Sequence, residues 1–157
     1  MQFKAFILAA LAGASAVSAR TIKAPHSRRT VTTVGLPNPN FSVSKNLAAG
    51  IDVTSVQAFP VDLPATECTL FWQAQPGFHV TQSGSTQINV FSVDGNAPGA
   101  LVGTFTINSF DGAPHDINTF ECRDPLTVRF EIASDEQPGS VSFTANGASG
   151  IFLEYTH

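Results

Sequence analysis

The sequence predicts an all-β fold, an antiparallel two-sheet β-sandwich of jelly-roll-like or immunoglobulin-like type with one disulfide. Three observations lead to this prediction. Apolar and polar residues alternate with period 2 in many segments from residue 67 onward, and clusters of Gly, Pro, Asn and Asp separate these segments. No window after residue 19 combines an apolar period of 3.6 residues with helix-capping signals. Short strands at this spacing with one apolar face are typical of two packed antiparallel sheets.

The alternating segments predict at least six strands. Before them, residues 36–40 read LPNPN and are expected to be irregular because of their prolines. In the segment 101–107 the alternation places Leu101 on the same face as Phe105, and in the segment 126–132 it directs Phe130 inward. The six segments are ECTLFWQA (67–74), QINVFSV (87–93), LVGTFTI (101–107), LTVRFEI (126–132), SVSFTA (140–145) and GIFLEYT (150–156).

The first 29 residues are predicted to lie outside the folded domain. Residues 1–19 contain one lysine, a short apolar run and small residues before Ala19, in the order of a secretory signal peptide. Their apolar run is too short for a mature membrane anchor. Residues 20–29 are a basic lead-in or a propeptide, because Arg28 and Arg29 resemble the dibasic sites that kexin-type secretory proteases cleave. Residues 30–157 then form a single β-sandwich domain.

The charge of this domain excludes some classes of partner. Residues 30–157 contain three basic and twelve acidic residues, which is a net charge of −9. Such a surface is repelled by phosphate backbones and by anionic membrane faces. We therefore expect no nucleic-acid partner and no membrane span, and we expect a monomer that uses no cofactor.

The two cysteines of the domain predict one disulfide, Cys68 to Cys122. An even pair in a small domain of a secreted protein favours a structural bond, and two cysteines allow only one intramolecular pairing. The competing interpretation is a catalytic thiol with His79 or His115 as its base, but neither cysteine lies in a signature for such a site. The sequence also lacks CxxC and HExxH patterns, so no metal site is predicted.

Other candidate sites rest on single motifs. Asn40 begins NFS, the one Asn-x-Ser/Thr sequon, and is a candidate glycosylation site. Residues 108–122 are interpreted as a polar surface loop, although His115 next to Asp116 could act as a general base. Two carboxylates of a glycosidase could belong to the set Asp94, Asp111, Glu131 and Glu154.

Five segments in order resemble a fungal domain family, the C-terminal domain of the ubiquitin-activating-enzyme-binding But-two protein. The segments are CTLFWQAQPGF, SGSTQINVFSVDG, GALVGTFTI, FECRDPLTVRFEIAS and GSVSFTANGASGIFLEY, and the resemblance covers roughly residues 66–155. The resemblance implies a β-sandwich-like domain, often behind a signal peptide, with no catalytic residues to carry over. The family takes its name from a member that binds an intracellular activating enzyme of a ubiquitin-like modifier.

The sequence thus predicts a secreted, non-enzymatic fungal binding domain that acts at the cell surface or as an effector. Its partner is expected to be an unidentified protein or a cell-wall ligand. Two alternatives stay open at this point. One is a binding module for an intracellular activating enzyme of a ubiquitin-like modifier, and the other is a secreted hydrolase that uses carboxylates or the His115-Asp116 segment.

Overall fold

The computed structural model describes residues 29–157 and is all-β, as the alternation predicts. One 3-10 turn, Leu47–Ala49, is the sole helical element in this range, and none of the described residues belongs to a helix that could cross a membrane. The predicted signal peptide and residues 20–28 lie outside the described residues. The strands are β1 Val31–Gly35, β2 Asn40–Asn46, β3 Ile51–Val53, β4 Ser55–Phe59, β5 Thr66–Gln73, β6 Thr81–Gly84, β7 Gln87–Ser92, β8 Leu101–Thr106, β9 His115–Phe120, β10 Leu126–Ile132, β11 Gly139–Thr144 and β12 Gly150–Thr156.

The twelve strands form three four-stranded sheets, and every pairing is antiparallel. Sheet A has the order β1-β12-β5-β9, sheet B has the order β3-β2-β11-β6, and sheet C has the order β4-β10-β7-β8. The expectation of two sheets is therefore not confirmed. The jelly-roll-like or immunoglobulin-like type stays a prediction.

The six alternating segments correspond to β5, β7, β8, β10, β11 and β12. In β10 every second residue is buried, and Phe130 has no exposed surface. The face predicted for Leu101 is wrong, since its side chain is 55% exposed. A register shift in the β7–β8 pairing places Leu101 opposite Phe91, whereas Val90 lies opposite Gly103. The extra residue at this bulge turns Leu101 to the opposite face.

The three sheets share one apolar core. Phe41 of sheet B meets Phe130 of sheet C edge to face, with ring centroids 5.4 Å apart. Trp72 of sheet A meets Phe143 of sheet B in the same manner, at 5.3 Å. Aromatic pairs in this geometry stabilise a fold beyond the effect of the buried area alone, so these contacts hold the sheets together.

The interpretation of residues 108–122 as a surface loop is corrected in part. Residues 115–120 form β9, an edge strand that pairs with β5. None of its six residues is fully buried, so it has no apolar face that alternation could reveal. Edge strands often carry polar residues, which limit pairing with other chains.

Candidate functional site

The predicted disulfide is present between Cys68 and Cys122, whose Cα atoms are 5.2 Å apart. Cys68 lies in β5 with no exposed surface, and Cys122 follows β9 on the neighbouring strand. No free cysteine occurs in residues 29–157. Because both sulfur atoms are bonded, neither is available as a thiolate nucleophile.

His115 and Asp116 do not come together as a catalytic pair. They are neighbours on β9, and successive side chains of a strand point to opposite faces. His115 instead contacts Asp111, with 3.1 Å between Nε2 and Oδ1, and both side chains are exposed. The backbone N–H of Ala113 donates to Asp111, and this bond, helped by His115, holds the pKa of Asp111 below its usual value. These contacts fix a surface turn.

The other candidate carboxylates lie on different elements: Asp94 in the connection between β7 and β8, Glu131 on β10, and the exposed Glu154 on β12. Asp94 lies 3.3 Å from Arg123 and accepts a backbone hydrogen bond from Thr127. Glu131 lies 3.4 Å from Arg129 on β10. Among the described residues no three His, Cys, Asp or Glu side chains form a group that could hold a metal ion.

Of the predicted cleavage pair, Arg28 lies outside the described residues and Arg29 is the first described residue. Arg29 Nη1 lies 3.6 Å from Glu67 Oε2, and both side chains are largely exposed. Thr30 exchanges backbone hydrogen bonds of 2.9 and 3.1 Å with His157. The Arg29–Thr30 peptide bond thus directly precedes the backbone pairing of Thr30 with His157, and cleavage there stays a prediction.

A groove, which sequence reasoning did not predict, lies where β2 begins and β11 ends. It has a volume of about 740 Å³ and is open to solvent. Asn40, the sequon residue, lines its rim, with its Oδ1 accepting a hydrogen bond from Thr144 at 3.1 Å. A glycan on Asn40 would therefore leave the chain at the groove. The remaining polar residues of the lining are Gln75, His79, Thr81, Ser142, Asn146 and Ser149.

One wall of the groove is the turn Gln75-Pro76-Gly77-Phe78. The backbone N–H of Phe78 donates to Gln75 O at 3.0 Å, and Gly77 has φ +87°. Proline at the second position and a positive-φ glycine at the third are the requirements of a type II turn. The letters QPGF alone could have predicted this turn, which holds the half-buried Phe78 ring at the groove.

A second wall of the groove is the connection between β11 and β12. Asn146 Oδ1 accepts from Ala148 N at 2.9 Å, and Asn146 N donates to Ser149 O at the same distance. The two walls are joined because Gln75 N donates to Ser149 Oγ at 3.0 Å. Both walls are thus fixed by hydrogen bonds within the chain, as is usual for binding sites that are formed before the ligand arrives.

The base of the groove is aromatic. Phe78 lies 5.8 Å from Phe143 and 6.0 Å from Trp72, measured between ring centroids. Trp72 is only 2% exposed, and its indole Nε1 donates to Ser109 O at 3.2 Å. The one tryptophan of the chain therefore supports the groove from below and is not itself a contact surface.

The groove is free of ionic side chains. No Lys, Arg, Asp or Glu contributes to its lining, and His79 is its one titratable residue. The surrounding domain has a net charge of −9 over residues 30–157. The groove therefore offers amides, hydroxyls and an aromatic ring to a ligand. It can form hydrogen bonds and apolar contacts, but it has no carboxylate and no permanently charged cation with which a ligand could form an ion pair.

No family model, curated protein or solved structure matches this chain. The resemblance to the But-two C-terminal domain stays a prediction.

Proposed function

We propose that the chain is a secreted, non-enzymatic binding domain of fungal type, with a sandwich-like fold, that acts at the cell surface or in the medium through the groove. The observation that carries the proposal is the groove itself: a preformed site of about 740 Å³ lined by uncharged polar residues around an aromatic base. Hydrogen-bonding groups around an apolar base are the usual composition of a small-ligand binding site.

The disulfide supports the extracellular part of the proposal. The bond joins residues 54 positions apart, and structural disulfides persist in oxidising compartments and are rare in the cytosol. The predicted signal peptide agrees with this location. The alternative role, binding an intracellular activating enzyme, would place the same bond in a reducing compartment.

Location is tested by mass spectrometry of the intact, thiol-labelled protein recovered from the medium and the cytosol of its host. The proposal expects the medium to contain a chain that starts at Arg20 or Thr30, takes no thiol label and is lighter by two hydrogen atoms. A cytosolic chain with two labelled cysteines would overturn the extracellular location and favour the activating-enzyme role.

Binding is tested by sedimentation of the fluorescently labelled protein with washed cell walls of the same host. Phe78→Ala removes the aromatic side chain from the groove, whereas Leu101→Ala removes a side chain that is 55% exposed on sheet C. We expect Phe78→Ala to lower the bound fraction and Leu101→Ala to leave it unchanged. Equal binding by both variants would contradict the use of the groove.

A further inference from the structure

The groove continues onto a surface made of serine hydroxyls. Outward-facing residues of β2, β11 and β6 lie side by side, with Ser42 opposite Ser142 and Ser44 opposite Ser140. The hydroxyls of Ser83 and Ser140 are 2.9 Å apart. We call this surface the hydroxyl face, and it consists of Ser42, Ser44, Ser83, Ser140 and Ser142.

The groove and the hydroxyl face form one continuous strip. Ser142 belongs to both, and Asn40 and Thr144 extend the same two strands into the groove. From Thr144 to Ser140 the strip runs for roughly 14 Å at the usual rise of a strand. A ligand that used the whole strip would have to be a chain of several units.

The strip selects an uncharged ligand. None of its residues is ionic, and His79 is the one group that titrates. The nearest cation, Lys45, lines a pocket with Ser44 and Ser140 but is bonded to Asp135 and only 11% exposed. An anionic chain would therefore gain no ion pair from a residue of the strip and would be repelled by the net charge of −9 over residues 30–157. A cationic chain would find no carboxylate within the strip. A neutral chain needs no counter-charge and is not repelled by the net charge of the domain.

The polar groups match a ligand rich in hydroxyls. Amides such as those of Gln75 and Asn146 and hydroxyls such as that of Ser142 both donate and accept hydrogen bonds. A sugar hydroxyl has the same double capacity. The half-buried ring of Phe78 adds an electron-rich face, which attracts the polarised C–H groups of a sugar ring.

The backbone of Thr144 adds hydrogen-bonding groups to the strip, but one residue is too short an edge for another strand to pair with. Ala145 N donates to Pro39 O toward β2, so the backbone groups of Thr144 face the other side of β11. The pairing of β11 with β6 ends at Ser142 and Thr81, so no strand residue pairs with Thr144 there. A peptide added as a strand needs a longer open edge than one residue.

We propose that the groove and the hydroxyl face bind a single chain of a neutral oligosaccharide. The inference rests on the proposed binding function and names its ligand class. Phe78 contacts the face of one sugar ring, the amides of Gln75 and Asn146 bond that unit, and the serines of the hydroxyl face bond the following units.

The test is an NMR titration of the ¹⁵N-labelled protein with neutral hexasaccharides of β-1,3-glucose, β-1,4-N-acetylglucosamine and α-linked mannose. An anionic galacturonate hexasaccharide and a neutral extended peptide serve as comparison probes. We expect at least one neutral hexasaccharide to shift the amide signals of residues 75–79 and 140–149 and the anionic probe to leave them in place.

Variants show whether the strip itself is used. Phe78→Ala should weaken binding about tenfold, since an aromatic contact contributes on the order of 1.4 kcal/mol. Ser142→Ala removes a half-buried hydroxyl from the outward face of β11 and leaves the apolar core unchanged, so it tests the hydroxyl face if Phe78→Ala fails to fold. Leu101→Ala is the matched control and should bind like the parent protein.

Other outcomes would overturn the inference. These are no shift with any of the three neutral hexasaccharides, shifts confined to other surfaces, or binding of the anionic probe or the peptide in the strip. Binding of the peptide in the strip would leave the proposed function standing and replace only its ligand class. Cell-wall binding that is independent of Phe78 would instead contradict the proposed function.

Discussion

Strand β5 begins near the disulfide and ends at the groove, and its two ends are held by different means. Cys68 has no exposed surface and is bonded to Cys122. Beyond the other end of β5, Gln75 is exposed and is held through its backbone N–H by Ser149. At the first end the buried Cys68 supplies a covalent cross-link, whereas beyond the second end the side chain of Gln75 stays in solvent. Stability and binding thus depend on different residues and can be disrupted separately.

The largest expected loss of stability is at the core. Phe130→Ala should lower the free energy of unfolding by about 3 to 5 kcal/mol, because the ring is completely buried and leaves a cavity. Urea unfolding measures this loss. Phe91→Ala is the matched control, since Phe91 is half-buried on the opposite face beneath Arg129 and should cost much less. A loss below roughly 1 kcal/mol for Phe130→Ala would contradict its burial.

Removal of the disulfide should lower the free energy of unfolding by nearly as much as Phe130→Ala. Replacing both cysteines by alanine opens a loop with a separation of 54 residues, and the gained entropy of the unfolded chain corresponds to about 4 kcal/mol. We expect a lower urea midpoint and a changed m-value, because the unfolded state itself expands. An unchanged midpoint would refute the stabilising role. Ligand binding by the folded fraction should persist, since the groove is at the other end of β5.

The core was predictable from sequence because burial on one face of a strand leaves a period of 2. This holds for β10, whose alternate residues are buried, and it holds in β2, where Phe41 and Val43 point inward between serines. The alternation in β2 is visible in the sequence, but it was not used to predict a strand there. Strands β6 and β9 were not readable, because none of their residues is buried and their sequences, TQSG and HDINTF, show no alternation of apolar and polar residues.

The groove was not predictable because its residues are distant in sequence. Asn40, Gln75 and Ser142 come together only through the pairing of β2 with β11 and the bond from Gln75 N to Ser149 Oγ. Local chemistry shows the QPGF turn but not what lies opposite it. The bulge that exposes Leu101 was hidden for the same reason, since strand register is a property of two strands and not of one.

Alanine substitutions at Gly77 and Gly99 distinguish the effect of a turn on stability from its effect on ligand binding. Gly77 and Gly99 have φ of +87° and +80°, and an added Cβ would meet nothing within 4 Å at either position. Each Gly→Ala change should therefore cost about 1 to 2 kcal/mol, through the backbone alone. Only Gly77→Ala should also weaken oligosaccharide binding, because that turn positions Phe78. Equal affinities in the two variants, measured by calorimetry, would mean that the turn does not organise the site.

The smallest expected effect lies at a third place, at the end of β2 away from the groove. Lys45 Nζ bonds Asp135 Oδ1 at 2.5 Å, and the side chains are 11% and 77% exposed. This hydrogen bond is the main reason that the pKa of Lys45 is raised above its ordinary value. Asp135→Asn should cost roughly 0.2 to 1 kcal/mol near neutral pH, as is usual for an ion pair with one exposed partner.

The pH dependence of this loss separates the ion pair from a packing effect. Because the folded pKa of Lys45 is raised, the pair stabilises the fold below the pKa of the unfolded chain, and this contribution is lost as pH rises through the folded pKa. The stability difference between the parent protein and Asp135→Asn, measured by urea unfolding, should therefore shrink at strongly alkaline pH. Glu136→Gln, which removes a neighbouring exposed acid, should show no such dependence. A difference that stays constant with pH would assign the effect of Asp135→Asn to packing and not to the ion pair.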